Sequence, residues 1–240
     1  MGNKTQLNLK TVLHEPITPY STNAYNTLIS VIQGIALAAL FYIINESIVK
    51  LKPASFDISF VCRIVLAFLL ICLIWHRYIV HDQYIAWRLT VFDTIIPMVF
   101  ALLQIFLILS IPKSPFLFPL CLASLFFWGM IAYINAEHRL GKAESRELYK
   151  EHYKCLGDEF AEKLIDEIKA FQKNSQIVML ISTILLVFLA VAIRSKSYSD
   201  ETCTILITTV SLPCIVLLFF FDLRHRLNKA KTLDKYKISF

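Results

Sequence analysis

The sequence predicts an all-α membrane protein, a polytopic bundle of about six transmembrane helices with a cytoplasmic helical hairpin. Three observations lead to this fold class. Hydrophobic residues make up 57% of the 240 residues, and the mean hydropathy is +0.60, well above that of soluble domains. The chain contains six apolar runs, each close to the roughly 20 residues that cross a bilayer as a helix. The one extended polar segment between these runs, residues 136–175, has helical periodicity.

Hydropathy places the six spans, because hydrocarbon offers backbone amides no partner but each other and therefore favours helices. The spans are expected at residues 27–49, 58–80, 93–111, 115–135, 176–193 and 203–221. They divide the chain into a cytoplasmic N-terminal segment (1–26), spans one to four (27–135), a cytoplasmic helical arm (136–175), spans five and six (176–221) and a basic cytoplasmic tail (222–240).

Basic residues predict the orientation, since lysine and arginine are retained on the cytoplasmic side during insertion. With the N-terminus inside, 18 of the 24 lysines and arginines fall in cytoplasmic segments and 5 in outer loops. Both termini are therefore expected in the cytoplasm. The same asymmetry explains the net charge of +6 without nucleic-acid binding, which we do not expect.

Motifs for catalysis are not found in the sequence. It has no glycine-rich phosphate loop, no HExxH and no nucleophile elbow. The six cysteines form no CxxC or Cys/His pattern typical of a metal site. We therefore expect a non-enzymatic protein without a metal or other cofactor.

Ionisable side chains within the predicted spans are costly in lipid and indicate either pairing or function. Glu46 near the end of span one and Arg63 near the start of span two flank a short loop, so we expect an ion pair between them. Toward the cytoplasm, His76 and Arg77 of span two lie opposite Asp93 of span three. These three residues are expected to form a second charged layer.

Two roles are open to Asp93. It precedes Pro97 in "FDTIIP", and proline is tolerated in the first turn of a helix, so Asp93 or the residue after it is expected to cap span three. Capping together with pairing to His76, Arg77 or Arg88 would be a structural role. The alternative is a cytoplasmic-side ion or proton site in which His76 titrates near neutral pH.

Polar and small residues in the first and third spans predict helix packing. Gln33 in span one and Gln104 in span three lie deep in apolar runs, where an amide favours a hydrogen bond between helices. Gly34 and Ala38 form a small-xxx-small pair that lets another helix approach closely. The pattern favours helix or subunit packing over a conduction path.

The arm carries two apolar stripes at helical spacing. The first stripe is Leu148, Tyr149, His152, Tyr153 and Leu156, and the second is Phe160, Leu164, Ile168 and Phe171. Gly157 and Asp158 between them predict a turn, with the second helix leading into span five. The stripes either pack on each other or bind a second subunit or a cytosolic protein, because an apolar helix face must be covered. The candidate partner-binding residues are Leu148, His152, Phe160, Leu164, Ile168 and Phe171.

The first three predicted helices carry a resemblance. The stretches "ISVIQGIALAALFYIINE" and "WHRYIVHDQYIAWRLTVFDTIIPMVFALLQ" resemble small multi-pass bacterial membrane proteins of unassigned function. Some of these occur in antiphage defence operons, where membrane subunits act as sensors or effectors. The resemblance implies a bacterial inner-membrane location and assigns no site residue.

Two classes of function remain. The first is an oligomeric membrane scaffold or sensor, in contact with the lipid bilayer, whose arm couples the membrane to a cytosolic protein partner. The second is an ion channel or pore-forming effector with Gln33, His76, Asp93 and Gln104 near its path. A selective pore usually shows a filter-like loop or a ring-forming charge, and neither is evident in the sequence.

Overall fold

The computed structural model describes residues 19–50, 58–82, 90–113, 115–195 and 199–235. Within them all regular structure is helical, which confirms the predicted fold class. The seven α-helices are α1 (Pro19–Lys50), α2 (Ile58–Asp82), α3 (Val91–Ser110), α4 (Leu117–Leu140), α5 (Ala143–His152), α6 (Asp158–Ser195) and α7 (Asp200–Lys235). A short 3-10 turn, Lys154–Leu156, connects α5 to α6.

Six of these helices, all except α5, are long and apolar enough to cross a membrane. The protein is therefore an integral membrane protein of the helical class. The longest of the spanning helices is α6, which runs through 38 residues without a break. At 1.5 Å per residue this gives a length of about 57 Å, well beyond a hydrocarbon core of about 30 Å. The helix therefore extends from the bundle into the arm.

The six spanning helices pack side by side as a closed ring. Around the ring the order is α1, α2, α7, α6, α4 and α3, and α3 returns to α1. Leucine, isoleucine and phenylalanine side chains fill the interior, among them Leu66, Leu107, Phe118 and Leu122. Large apolar side chains also cover the outer surface, as expected of faces that contact lipid.

The arm has its own core at one end of the bundle. Helix α5 folds back on α6, and the end of α4 completes the packing. The side chains of this second core are Leu140, Tyr149, Tyr153, Phe160, Ala161, Leu164, Ile165 and Ile168. Gly157, with φ of 89°, makes the turn that residues with a Cβ rarely adopt, as predicted. We call this end of the bundle the arm end and the opposite end the far end.

The start of α3 differs from the prediction. Thr90 is the N-cap, and the helix begins at Val91, so Asp93 lies in the first turn instead of at the cap. The Asp93 carboxylate accepts hydrogen bonds from the Thr90 backbone N–H at 2.7 Å and from the Thr90 hydroxyl at 2.9 Å. These two bonds from the N-cap residue to the third helical residue fix the first helical turn. Pro97 consequently lies inside the helix, beyond its first turn.

Candidate functional site at the base of the arm

Arg63 forms the charged contact at the far end. Its guanidinium donates to the Ile111 carbonyl at 3.1 Å and to the Thr204 hydroxyl at 3.1 Å, and it also pairs with the Asp200 carboxylate. The predicted pair of Arg63 with Glu46 is thus replaced by a pair with Asp200. Arg63 pairs with Asp200 because α2 packs against α7 as well as α1, and the buried Arg63 side chain lies on the face of α2 toward α7.

Arg77 joins several helices at the arm end. From α2 it donates to the Tyr133 hydroxyl of α4 at 2.8 Å and to the Leu218 carbonyl of α7 at 2.8 Å. Its guanidinium also lies over the rings of Tyr133 and Phe171, at 5.4 and 5.7 Å from their centroids. Such stacking adds to the hydrogen bonds. One buried side chain therefore contacts α4, α6 and α7.

The anion of this layer is Asp222, which sequence reasoning assigned to the tail. Its carboxylate is 3.2 Å from the Arg77 guanidinium and 3.9 Å from Nε2 of His76. The predicted pairing of His76 and Arg77 with Asp93 is therefore corrected to a pairing with Asp222. A signal was present, since Leu218, Asp222 and His225 recur at helical spacing and all three are buried in α7.

Asp93 pairs with a different arginine. Its carboxylate is 3.1 Å from the Arg139 guanidinium, which also donates to the Thr90 hydroxyl at 2.6 Å and to the Asn135 side-chain oxygen at 3.3 Å. These contacts tie the start of α3 to the end of α4. Asp93 thus stabilises the start of a helix and pairs with a basic side chain, which is the structural role. Its partner is Arg139, however, and not His76 or Arg77 as expected. Arg88 lies outside the described residues.

Between these two charge pairs lies a cavity of about 150 Å³. Residues of α2, α3, α4, α6 and α7 line it, and most of its wall is apolar. The apolar wall includes Leu70, Ile74, Ile96, Phe100, Phe126 and Met179, and the polar wall is Arg77, Asp93, Tyr133, Asn135 and Gln172 together with the ring of Tyr78. Ile168 and Leu140 of the arm core also face the cavity. The cavity therefore lies where the bundle meets the arm.

Gln172 stands out among the polar groups of the wall. Its side chain on α6 is 4% exposed. Within the part of the chain that the structure describes, Oε1 has no hydrogen-bond partner. A buried carbonyl oxygen without a donor costs about 1 to 3 kcal/mol. Gln172 is thus an acceptor that faces a mostly apolar space.

The predicted partner-binding stripe is covered by the chain itself. Phe160, Leu164 and Ile168 are fully buried in the arm core, and Phe171 packs in the bundle core beside Tyr133. α5 and the end of α4 cover Phe160, Leu164 and Ile168, and the bundle core covers Phe171, so these four side chains do not form an exposed docking surface in this structure. Leu148 and His152 are half-buried against the same core. The arm surface is polar, and an example is the contact of Lys150 with Glu162 at 2.9 Å, which raises the pKa of Lys150.

The predicted packing residues divide into two pairs. Gln104 donates to the Gln33 side-chain oxygen at 3.4 Å, which gives α3 and α1 the expected amide contact in the interior. Gly34 and Ala38 face outward instead. No atom of the described residues would lie within 4 Å of a Cβ at Gly34, so none of the described helices uses this close approach.

The fold and this site define a six-span helical membrane protein with ion pairs at both ends of its bundle and a cavity at the base of a helical arm. Among the described residues no group of three or more histidine, cysteine or acidic side chains is arranged to hold a metal ion. No protein family, curated protein or solved structure is significantly similar to this chain.

Proposed function

We propose that the protein is a non-enzymatic membrane sensor or scaffold whose arm couples the state of the bundle to a cytosolic protein. The observation that carries the proposal is the continuity of α6. Phe160 and Leu164 near its start belong to the arm core, and Leu186 and Ile193 near its end belong to the bundle core. A rigid helix shared by two cores transmits a displacement from one to the other.

The base of the arm is the place where such a displacement would begin. Arg77 and Tyr133 bring α2, α4 and α7 together beside Phe171 of α6. The cavity wall continues from these residues to Ile168, which is a member of the arm core. A change in the packing of the cavity therefore reaches the arm through direct contacts.

The partner surface that we propose is the exposed face of α5. Glu144, Glu147 and Glu151 are exposed and recur at spacings of three and four, so they lie on one face. The opposite face of α5, with Ser145 and Tyr149, is buried. An acidic helix face favours a partner with a basic surface. Because basic residues are concentrated on the arm side of the membrane, we place this surface in the cytoplasm.

The alternative of an ion channel is less well supported. Apart from the cavity at the arm end, packed side chains fill the interior of the ring, and Arg77 on α2 crosses it to contact Tyr133 on the opposite helix α4. The contacts Arg63–Asp200 and Gln104–Gln33 join neighbouring helices of the ring. A conducting path would therefore have to form between copies, for instance where Gly34 faces outward. Flux of potassium or chloride from liposomes that contain only the purified protein would favour this alternative.

Co-purification tests the proposal. The tagged protein is extracted from native membranes with a mild detergent, as the wild type and with Glu144, Glu147 and Glu151 all replaced by lysine. In the matched control, Glu159 and Asp166, which are exposed acidic residues on α6, are replaced by lysine. The wild type and the control should retain one soluble protein in stoichiometric amount, and the α5 variant should lose it. Equal retention by all three proteins would contradict the assignment of α5 as the docking face.

A further inference from the structure

We propose that the cavity at the base of the arm binds a small neutral amphipathic molecule, with an apolar ring-sized body and one hydrogen-bond donor that Gln172 Oε1 accepts. This inference deepens the proposed function, since it names the class of ligand that a sensor of this shape would detect. It rests on the size of the cavity, on the chemistry of its wall and on the acceptor without a donor.

The size and lining of the cavity set the body of the ligand. Its volume is about 150 Å³, and aliphatic and aromatic side chains such as Ile96, Phe100 and Phe126 form most of its wall. Engineered cavities of about this volume with a similar lining bind benzene. A six-membered aromatic ring is therefore the largest rigid body that we expect to fit. Phenol and similar small aromatic alcohols or amines have this size.

The polar part of the wall indicates that the ligand carries a hydrogen-bond donor. The two terminal nitrogens of Arg77 donate to Tyr133 and to the Leu218 carbonyl, and the Asp93 carboxylate pairs with Arg139. Arg77 Nε has no hydrogen-bond partner among the described residues, but it is a donor and does not compete for the ligand donor. Within the described part of the wall, Gln172 Oε1 is a buried acceptor without a donor. A ligand O–H or N–H that donates to it would satisfy this oxygen. Because most of the wall is apolar and the charged groups Arg77 and Asp93 are already paired, a charged ligand would lose its hydration without compensation.

Gly129, Met179 and Phe100 bound the cavity on the side toward the bundle interior. A Cβ at Gly129 would lie 3.0 Å from the Met179 sulfur and 3.7 Å from the Phe100 ring. Gly129 therefore allows Met179 and Phe100 to close the cavity toward the interior of the bundle. Leu140 and Ile168 bound the other side and belong to the arm core. A ligand in this space would contact the bundle and the arm at once.

Fluorine NMR on the purified protein in lipid nanodiscs tests the inference. The probes are 4-fluorophenol, which carries a ring and one donor, and 1,4-difluorobenzene, which has a similar size and no donor. Ala132→Leu fills the cavity from α4, and Ala136→Leu is a second filling variant from the same wall. Gln172→Leu removes the acceptor at similar volume. The matched controls are Ala38→Leu on the outer surface and Gln104→Leu, which removes a buried amide away from the cavity.

The wild type and both controls should bind 4-fluorophenol saturably. The filling variants should abolish saturable binding. Gln172→Leu should weaken 4-fluorophenol roughly tenfold, the equivalent of one hydrogen bond to a buried acceptor, and should leave 1,4-difluorobenzene unchanged.

Two results would overturn the inference. Equal binding by the wild type and a folded filling variant would show that the probe enters only the lipid. Equal weakening of both probes by Gln172→Leu, or of neither, would show that no donor is recognised. These outcomes are independent of the partner assay. If the wild type retains its soluble partner but does not bind the probe, the ligand is rejected and the docking face is kept. If the wild type binds the probe but retains no soluble partner, the docking face alone is rejected.

Discussion

Asp222 of α7 lies 3.2 Å from the guanidinium of Arg77 on α2, and its side chain is only 2% exposed. Both groups are withdrawn from water, so each relies on the other and on the surrounding hydrogen bonds for its charge to be tolerated. This pair closes the arm end of the ring between two helices that are distant in sequence. It is therefore the contact whose loss should be most costly to the bundle.

Removal of one member of this pair should destabilise the protein strongly. Asp222→Asn leaves the Arg77 guanidinium buried without its anion, which should lower the free energy of unfolding by about 3 to 5 kcal/mol. Addition of Arg77→Met should recover much of the loss. Denaturant unfolding of the protein in detergent micelles measures both. Glu162→Gln on the arm surface, where water screens the charge, serves as the control and should change little. Strictly additive effects of the two substitutions would show that the side chains are not coupled.

The far end should show a weaker coupling, with Asp200 and not with Glu46. Asp200 is 45% exposed, so Asp200→Asn should lower the free energy of unfolding by about 1 kcal/mol. A double-mutant cycle between Arg63 and Asp200 should give a non-zero coupling energy. The same cycle between Arg63 and Glu46 is the matched comparison. A larger coupling energy in the cycle with Glu46 would support the ion pair between Arg63 and Glu46 that the short loop between the first two spans predicts.

The arm stripe should behave as a core. Leu164→Ala deletes a side chain that is fully buried between α5 and α6, and it should cost about 2 to 5 kcal/mol. Ala170→Ser, on the exposed face of α6, is the control and should be close to neutral. Thermal unfolding and purification yield report the difference. A Leu164→Ala protein of normal stability that fails only to assemble or to bind a protein would return this stripe to the role of a docking surface.

Topology should follow the basic residues. Reporter fusions after Lys10, Lys113 and Lys231 should read inside, outside and inside, because 18 of the 24 basic residues lie in the segments assigned to the cytoplasm. Lys113 lies in the turn after α3 at the far end, so it distinguishes the two ends of the bundle. A periplasmic signal from either terminus would reverse the orientation and would place the arm outside the cytoplasm.

The helices could be predicted because each carries its own signal. Every span has a long, predominantly apolar run, and Gly157 marks the turn within the arm. The partners of the charged residues could not be predicted in the same way. Arg63 and Asp200 are separated by 137 positions, and helical periodicity does not say that α2 lies beside α7. The lateral order of a ring is set by the fit of whole helix faces.

The roles of apolar and small stripes were ambiguous for a related reason. The spacing of Phe160 and Leu164 shows that this helix face must be buried. The same spacing is expected whether α5 or another protein buries it. Gly34 and Ala38 permit close approach without showing which helix uses it. The cavity was also beyond prediction, since its wall combines side chains from five helices and depends on the space that their packing leaves.

If the bundle controls what the arm binds, site-specific photocrosslinking in cells should detect that control. A photoreactive residue at Glu147, exposed on α5, should capture one soluble protein, whereas the same residue at the lipid-facing Leu102 should not. In a Tyr133→Phe background, which removes the hydroxyl that Arg77 contacts, the yield at Glu147 should change about fivefold or more, as expected for coupled sites. A stable Tyr133→Phe protein with an unchanged yield would show that the bundle does not control binding by the arm. Capture of no soluble protein at Glu147 would show that α5 is not a docking face.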